Sequence, residues 1–318
     1  EIGDSSLFIT ISIGAAFYPE HGNNSEELLK NSDIALYKAK ATGKNRIVFY
    51  NKPMDEVFSE RLYIEKNLRT ALMNNEFELY YQPQLDIQGK RISGFEALIR
   101  WNSPELGFVS PLRFISIAED THMIIAIGEW VLRNSCTYLS KLHQKGYEDL
   151  TVSVNISMIQ LIQEDFIEMV MEALEQAKLE PQDLELEITE STLMESYEIV
   201  KDKLNILKEK GVKIALDDFG KGYSSLDYLR HLPISTLKID KSFIDTIGSG
   251  SRDESIVGLM VNIGKTMGLS VVAEGVEIRE QLDYLKNSNC ERIQGYLFSK
   301  PVPEEAVMEC LARKEWNI

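Results

Sequence analysis

Residues 94–101, Gly94-Phe95-Glu96-Ala97-Leu98-Ile99-Arg100-Trp101, alternate between two faces. A β-strand turns successive side chains to opposite sides. Glu96, Leu98 and Arg100 therefore share one face, and Phe95, Ala97, Ile99 and Trp101 share the other. The same split recurs along the chain. In residues 150–157, Val152, Val154 and Ile156 oppose Ser153, Asn155 and Ser157; in 184–189, Leu186 and Ile188 oppose Glu185, Glu187 and Thr189. It returns in Leu237 and Ile239 against Lys238 and Asp240, and in Val271 and Ala273 against Val272 and Glu274. Helical stretches separate these runs, which implies parallel pairing through crossovers in a doubly wound sheet or a closed barrel. No G-x-G-x-x-G or G-K-[ST] loop follows any of the strands, so the nucleotide-binding doubly wound sheet loses support. With helices covering the apolar faces, the polar faces must point into a barrel mouth. The expected fold is an α/β, TIM-like (β/α)8 barrel. Glu96, Glu187, Asp217, Asp218 and Glu274 would be buried there at high cost without partners, and so they call for cations.

Residues before this pattern read differently. A strand over residues 7–16, a loop over 19–25, a helix capped by Asn24 or Ser25 and ended by Gly43, and a strand over 46–50 make a poor independent core. They are expected to be part of a domain, with the boundary at residues 1–53 and 54–318. The chain starts at Glu1, which suggests a piece of something longer. Its 318 residues, 44% of them hydrophobic, exclude disorder. A formal net charge of -16 argues against a nucleic-acid polyanion or an anionic membrane surface as partner. Cys136, Cys290 and Cys310 form no C-x-x-C pair, and His21, His122, His143 and His231 are too scattered to build a metal cluster. The most apolar run, residues 123–132, is broken by Gly128 and Glu129 and is too short to span a bilayer.

Asp217 and Asp218 end a strand and lead into Phe219-Gly220-Lys221-Gly222-Tyr223-Ser224-Ser225. Alone, such a pair is a cap or turn former. With the other acids, adjacent carboxylates can bridge two hard cations, and all-oxygen ligands favour Mg²⁺ or Mn²⁺. A paired-cation centre suits in-line displacement at phosphorus.

Residues 60–303 resemble the EAL-domain phosphodiesterases. The resemblance rests on Glu96-Ala97-Leu98, Tyr81-Gln82-Pro83, Val154-Asn155-Ile156-Ser157, Glu187-Ile188-Thr189-Glu190, residues 217–226, Lys238-Ile239-Asp240, Ala273-Glu274-Gly275-Val276-Glu277 and Gln294-Gly295-Tyr296, in that family's order. It implies hydrolysis of cyclic di-GMP to linear pGpG, with Mg²⁺ or Mn²⁺ as cofactor and Ca²⁺ as inhibitor. By resemblance Glu96, Asn155, Glu187 and Asp217 hold one metal, and Asp217 bridges to a second held by Asp218. Lys238 positions or stabilises the attacking water and Glu274 serves as general base. Gln82, Leu98, Arg100 and Gln294 contact substrate, while Glu190 and Glu277 anchor the loop and rim. It also implies a homodimer. A cytoplasmic location is expected, with no nucleic acid or membrane bound by this fragment on the grounds of charge and apolar-run length above; the longer protein could still be anchored upstream. The rival is a cyclic di-GMP sensor without turnover. Lys221 stands where the family usually has Thr, and Ser116 and His122 stand where Pro and Gly are common. Residues 1–53 resemble the C-terminal half of a GGDEF diguanylate cyclase domain through Ser12-Ile13-Gly14, residues 32–40 and Gly43-Lys44-Asn45. The Gly-Gly-Asp-Glu-Phe hairpin is absent from this sequence, so no cyclase activity is expected, and Lys40 and Lys44 remain helix-end cations.

Overall fold

The computed structural model describes residues 10–221, 229–248 and 252–313. The start of the first predicted strand, residues 7–9, and positions 222–226 of the acidic loop lie outside them. The chain divides into two compact units, residues 1–70 and 71–318.

In the first unit, strands β1 (Ile13–Ala15) and β2 (Ile47–Phe49) pair in parallel across helix α1 (Ser25–Ala41), and helix α2 (Pro53–Ala71) follows. Asn24 Oδ1 accepts from the Glu27 amide at 2.9 Å, which makes Asn24 the cap. A Cβ at Gly14 would lie 2.1 Å from the Ser32 carbonyl, so only glycine lets α1 sit on β1. The core is small: Ile34, Ala35 and Tyr50, with Val48, Met54 and Phe58 against them.

The second unit runs through β3 (Phe77–Asp86), β4 (Arg91–Ser103), β5 (Gly107–Val109), α3 (Pro111–Asp120), α4 (Ile124–Gln144) and β6 (Thr151–Asn155). Then come α5 (Met158–Leu161), α6 (Phe166–Ala177), β7 (Leu184–Thr189), α7 (Glu190–Glu209), β8 (Lys213–Phe219) and β9 (Thr236–Ile239). Helices α8 (Lys241–Ile244) and α9 (Arg252–Thr266), β10 (Ser270–Ala273), α10 (Arg279–Asn287), β11 (Arg292–Ile293), β12 (Val302–Pro303) and α11 (Glu304–Ala312) complete it. The order β3-β4-β6-β7-β8-β9-β10-β11 closes back on β3, an eight-stranded barrel. The predicted barrel is therefore present, with one departure from all-parallel pairing. β3 runs antiparallel to both β4 and β11, because it joins β4 as a hairpin instead of through a crossover helix.

Outward-facing residues supply the shell between strands and helices. Phe95, Trp101, Val154, Leu186, Ile214, Leu237 and Val271 are at most 2% exposed. Fully burying each such side chain stabilises the fold by about 1.5–3 kcal/mol. Helix α4 presents Ile127, Val131, Leu132, Leu139 and Leu142 on its buried face, at the helical spacing of one stripe. Among the described residues, no helix is long and apolar enough to cross a membrane.

Candidate active site in the barrel mouth

Strand register sets which polar side chains share the barrel interior. Gln82 lies opposite Glu96, Glu96 opposite Ser153, Ser153 opposite Glu185, and Asn155 opposite Glu187. Residues two apart on each strand consequently form two stacked polar layers.

In the lower layer, Glu185 is 1% exposed. It accepts from Ser153 Oγ at 3.1 Å and from Thr236 Oγ1, and lies 3.6 Å from Arg292 Nη1. Burial opposes its ionisation, but the Arg292 charge and the two hydroxyls outweigh that and hold its pKa below the usual glutamate value. Arg292 also donates to Gln84 Oε1 at 3.1 Å and Thr236 Oγ1 at 3.0 Å. This network links β3, β6, β7, β9 and β11 beneath the residues two positions further along each parallel strand and, on the antiparallel β3, beneath Gln82 two positions earlier. Sequence reasoning missed it; the parity of Glu185 with Glu187 is the signal that points to it.

The upper layer centres on Lys238, whose residue exposure is 0%. Its Nζ lies 2.5 Å from Glu187 Oε2, 2.7 Å from Glu274 Oε1, 3.3 Å from Asp217 Oδ1 and 3.8 Å from Glu96 Oε2. Burial alone would release the lysine proton, yet the four carboxylates hold its pKa well above the ordinary value. Gln294 Nε2 donates to Glu96 Oε2 at 2.5 Å and to Gln82 Oε1 at 3.2 Å, and Asn155 Nδ2 donates to Glu96 Oε1 at 2.7 Å. The structure thus brings Glu96, Asn155, Glu187, Asp217, Lys238, Glu274, Gln82 and Gln294 into one cluster.

Asp217 and Asp218 need a special device, because consecutive strand residues face opposite sides. The β8–β9 register shifts between Leu216 and Phe219, and Asp218 takes φ +56°. This bulge re-aims the second carboxylate. Asp217 Oδ1 accepts the Asp218 amide at 2.8 Å, and Asp218 Oδ1 meets Lys221 Nζ at 2.8 Å. Lys221 reaches Asp240 Oδ2 at 2.8 Å as well. Asp240 is a further mouth carboxylate, and its parity with Lys238 is the sequence signal for it. The turn is held from behind: the Gly220 amide donates to Glu190 Oε2 at 2.7 Å.

Other predicted residues stand apart from the carboxylates. Arg100 donates to the Ile99 carbonyl at 2.9 Å and lies 5.4 Å over the Tyr80 ring. Burial lowers its pKa, opposed by Tyr296, Tyr80 and Glu96. Leu98 is half-buried, opposite Tyr80 in the register. Glu277 pairs with Lys241 at 2.9 Å, and Lys241 with Asp245 at 2.9 Å, so Glu277 ties the segment after β10 to α8.

Among the described residues, no acidic, histidine or cysteine set is gathered as a ready-made cation cage. Lys238 occupies the middle of the cluster instead. The donor set nevertheless fits divalent cations. Glu187 Oε1 and Gln294 Oε1 are buried without hydrogen-bond partners, a costly state that a bound cation relieves. Glu96, Glu187, Asp217, Asp218, Asp240 and Glu274 outnumber Lys238 and Lys221 by four charges when all are ionised, the charge of two divalent ions.

Burial, with Asp217 and Glu96 nearby, pushes the Glu274 carboxyl up to about 8 against the opposing Lys238, and burial and Glu96 push Glu187 well up. An acid with a raised folded-state pKa binds more protons folded than unfolded, so stability falls as pH rises between the two values. Chelator-treated protein is therefore expected to lose stability from pH ~4.5 to pH ~8, with Mg²⁺ restoring it at the upper end. Urea unfolding across that window checks this; a flat profile contradicts it.

Comparison with known proteins matches residues 65–301 to the EAL domain family and residues 1–46 to the family described as diguanylate cyclase, GGDEF domain. The chain is 42% identical over 306 residues to cyclic di-GMP phosphodiesterase NbdA of Pseudomonas aeruginosa, covering 96% of this chain and 39% of that protein. It is 39% identical over 312 residues to bifunctional diguanylate cyclase/cyclic di-GMP phosphodiesterase MucR of the same organism, covering 98% and 46%. A solved structure, "PaMucR Phosphodiesterase, c-di-GMP complex", superposes with TM-score 0.74 at 40% identity, covering 77% of this chain and 99% of that one. The chain thus spans less than half the length of these two curated relatives.

Proposed function

The chain belongs to the EAL domain family, and from that premise we propose that its barrel hydrolyses cyclic di-GMP to linear pGpG with two divalent cations. One observation carries the reading: four carboxylates converge on a single fully buried ammonium, while Glu187 Oε1 has no partner. A buried acid cluster of that excess is expensive for folding alone and useful for holding cations.

Glu96, Asn155, Glu187 and Asp217 would hold one cation, with Asp217 and Asp218 holding the second. Bound Mg²⁺ or Mn²⁺ would supply Lewis acidity to the phosphate and acidify an attacking water. The remaining work belongs to the chain's own residues. Glu274, beside Lys238, is placed to take a proton from that water once local positive charge brings its pKa down. Lys238 offers a fixed donor to charge developing on a phosphoryl oxygen. Arg100, braced on Tyr80, can fork onto a phosphate of the dinucleotide, and Gln82, Leu98 and Gln294 line its approach. Glu190 keeps the 217–221 turn in place through the Gly220 amide, with Glu277 bracing the opposite rim. The remaining readings rest on the family resemblance: a homodimer through the barrel domain, a cytoplasmic location, and residues 1–53 as the remnant of a GGDEF domain.

The test is incubation of the chain with cyclic di-GMP and Mg²⁺ or Mn²⁺, with and without chelator, followed by chromatographic separation of nucleotides. Chelator-sensitive pGpG is expected. Tight binding without product would overturn catalysis in favour of sensing. Ca²⁺ in place of Mg²⁺ is expected to block turnover, because its longer bonds and looser coordination misplace the water; equal rates with both ions would exclude the inhibition.

A further inference from the structure

Two ammonium groups sit among the mouth carboxylates, and they differ in how firmly they are held. Lys238 is enclosed on a central strand. Lys221 lies on the turn after β8 with 48% of its side chain exposed, and its Nζ is 2.8 Å from both Asp218 Oδ1 and Asp240 Oδ2. Asp240 is only 9% exposed in its side chain and anchors the start of α8 through the Ser242 amide at 2.9 Å, so its carboxylate has little freedom to move away. The backbone that delivers Lys221 is equally constrained. Gly220 has φ +103°, and a Cβ there would lie 2.5 Å from Phe243 and Met260 side-chain atoms. Its amide is bound to Glu190, and the Lys221 amide closes the turn on the Asp218 carbonyl at 3.3 Å.

We propose that Lys221 is a built-in competitor for the second cation: its ammonium bridges Asp218 and Asp240, and must swing into solvent before a divalent ion can take Asp218. The inference rests on the two-cation reading above. A divalent ion and an ammonium on the same carboxylate repel each other, so loading the second site drives the mobile Lys221 ammonium off Asp218. Exposure of the side chain makes the exchange feasible, since the released ammonium regains its hydration. Lys238 has no such exit. The two sites are consequently unequal: the ion bound by Glu96, Asn155, Glu187 and Asp217 binds first, and the second requires a higher concentration because it displaces a charge. The burial and charge of Asp240 agree, for Lys221 and Ser242 together overcome the cost of burial and hold its pKa down at about 2.

Mn²⁺ titration of the whole chain, following free Mn²⁺ by electron paramagnetic resonance, reads occupancy without reading catalysis. The wild-type chain is expected to bind one ion tightly and a second weakly. Lys221→Thr, which removes the ammonium, should tighten the second step by about tenfold, equivalent to ~1.4 kcal/mol, and leave the first unchanged. Lys221→Arg keeps a bridging cation and should stay close to wild type; far-UV circular dichroism confirms that both variants are folded. An unchanged or weaker second step in Lys221→Thr overturns the proposal. No second ion in either protein overturns it together with the two-cation reading. Failure of the wild-type chain to cut cyclic di-GMP, with the two Mn²⁺ steps still shifted by the variant, would sink the hydrolase reading and leave the competition standing.

Discussion

Asp217→Ala is expected to reduce cyclic di-GMP turnover by at least about 10³-fold, the upper end of what removing a single oxyanion donor costs. Asp217 is the one carboxylate shared between the two parts of the mouth: it lies 3.3 Å from Lys238 and accepts the Asp218 amide at 2.8 Å. Its loss removes a ligand from both proposed cation positions and the internal brace of the bulge at once. Folding should suffer little, because Lys238 keeps Glu187 and Glu274 at 2.5 and 2.7 Å while one negative charge leaves an overcrowded cluster. The variant should therefore be dead but stable, with Mn²⁺ stoichiometry reduced. Glu274→Ala is the contrast: it removes the proposed proton acceptor and leaves the proposed ligand set, so binding of the dinucleotide should persist without turnover. Calorimetry and product chromatography on the pair separate the roles. Substantial activity in Asp217→Ala would end the two-cation mechanism.

How far the mouth can be read from sequence depends on where alternation holds. Glu96, Glu187 and Lys238 lie on strands whose period-2 pattern is intact, so parity alone places them inside. Asp218 breaks parity, and its reach toward Lys221 comes from a bulge with φ +56° that no alternation rule contains. β11 has two residues, too few for any pattern, yet it carries Arg292 beneath Gln294. β3 is obscured for another reason. Pro83 argues against an interior strand because it cannot donate to a ladder. It is accommodated because β12 pairs with Tyr80 and Tyr81 while β11 pairs with Leu85 and Asp86, so residue 83 has only Phe95 of β4 as partner. The lower polar layer is only half legible: parity turns Glu185 inward with Glu187, but its partners Thr236 and Arg292 meet it only once the register stacks the strands. Even so, the barrel, its mouth and the central carboxylates follow from the alternating runs, since a polar face between two helix-covered strands has nowhere else to point.

Lys238→Met should be the most damaging single change to the cation-free fold. The ammonium is the only positive charge within 4 Å of Glu187 and Glu274 among the described residues, and it touches Glu96 and Asp217 as well. Methionine fills the space but leaves buried carboxylates unpaired, and breaking a buried pair in this way costs about 3–5 kcal/mol. The carboxylates can escape part of that cost by taking up protons. Burial already raises Glu187 and Glu274, and without Lys238 their folded-state values rise further. The folded variant then binds more protons than its unfolded chain over a wider range, so its stability deficit should grow as pH rises from ~5 to ~8. Mg²⁺ binds only the folded form and should recover part of the deficit at pH ~8. Turnover should stay lost, because the proposed donor to the phosphoryl oxygen is gone whether or not cations are present. Denaturant midpoints in chelator at both pH values, then in Mg²⁺, measure the deficit. Adding Glu187→Gln to the variant removes one of the stranded charges, and the double variant should be more stable than Lys238→Met alone. Equal midpoints for wild type and Lys238→Met at pH ~8 in chelator would show that the cluster is neutralised by other means, and the counter-ion role assigned to Lys238 would fall.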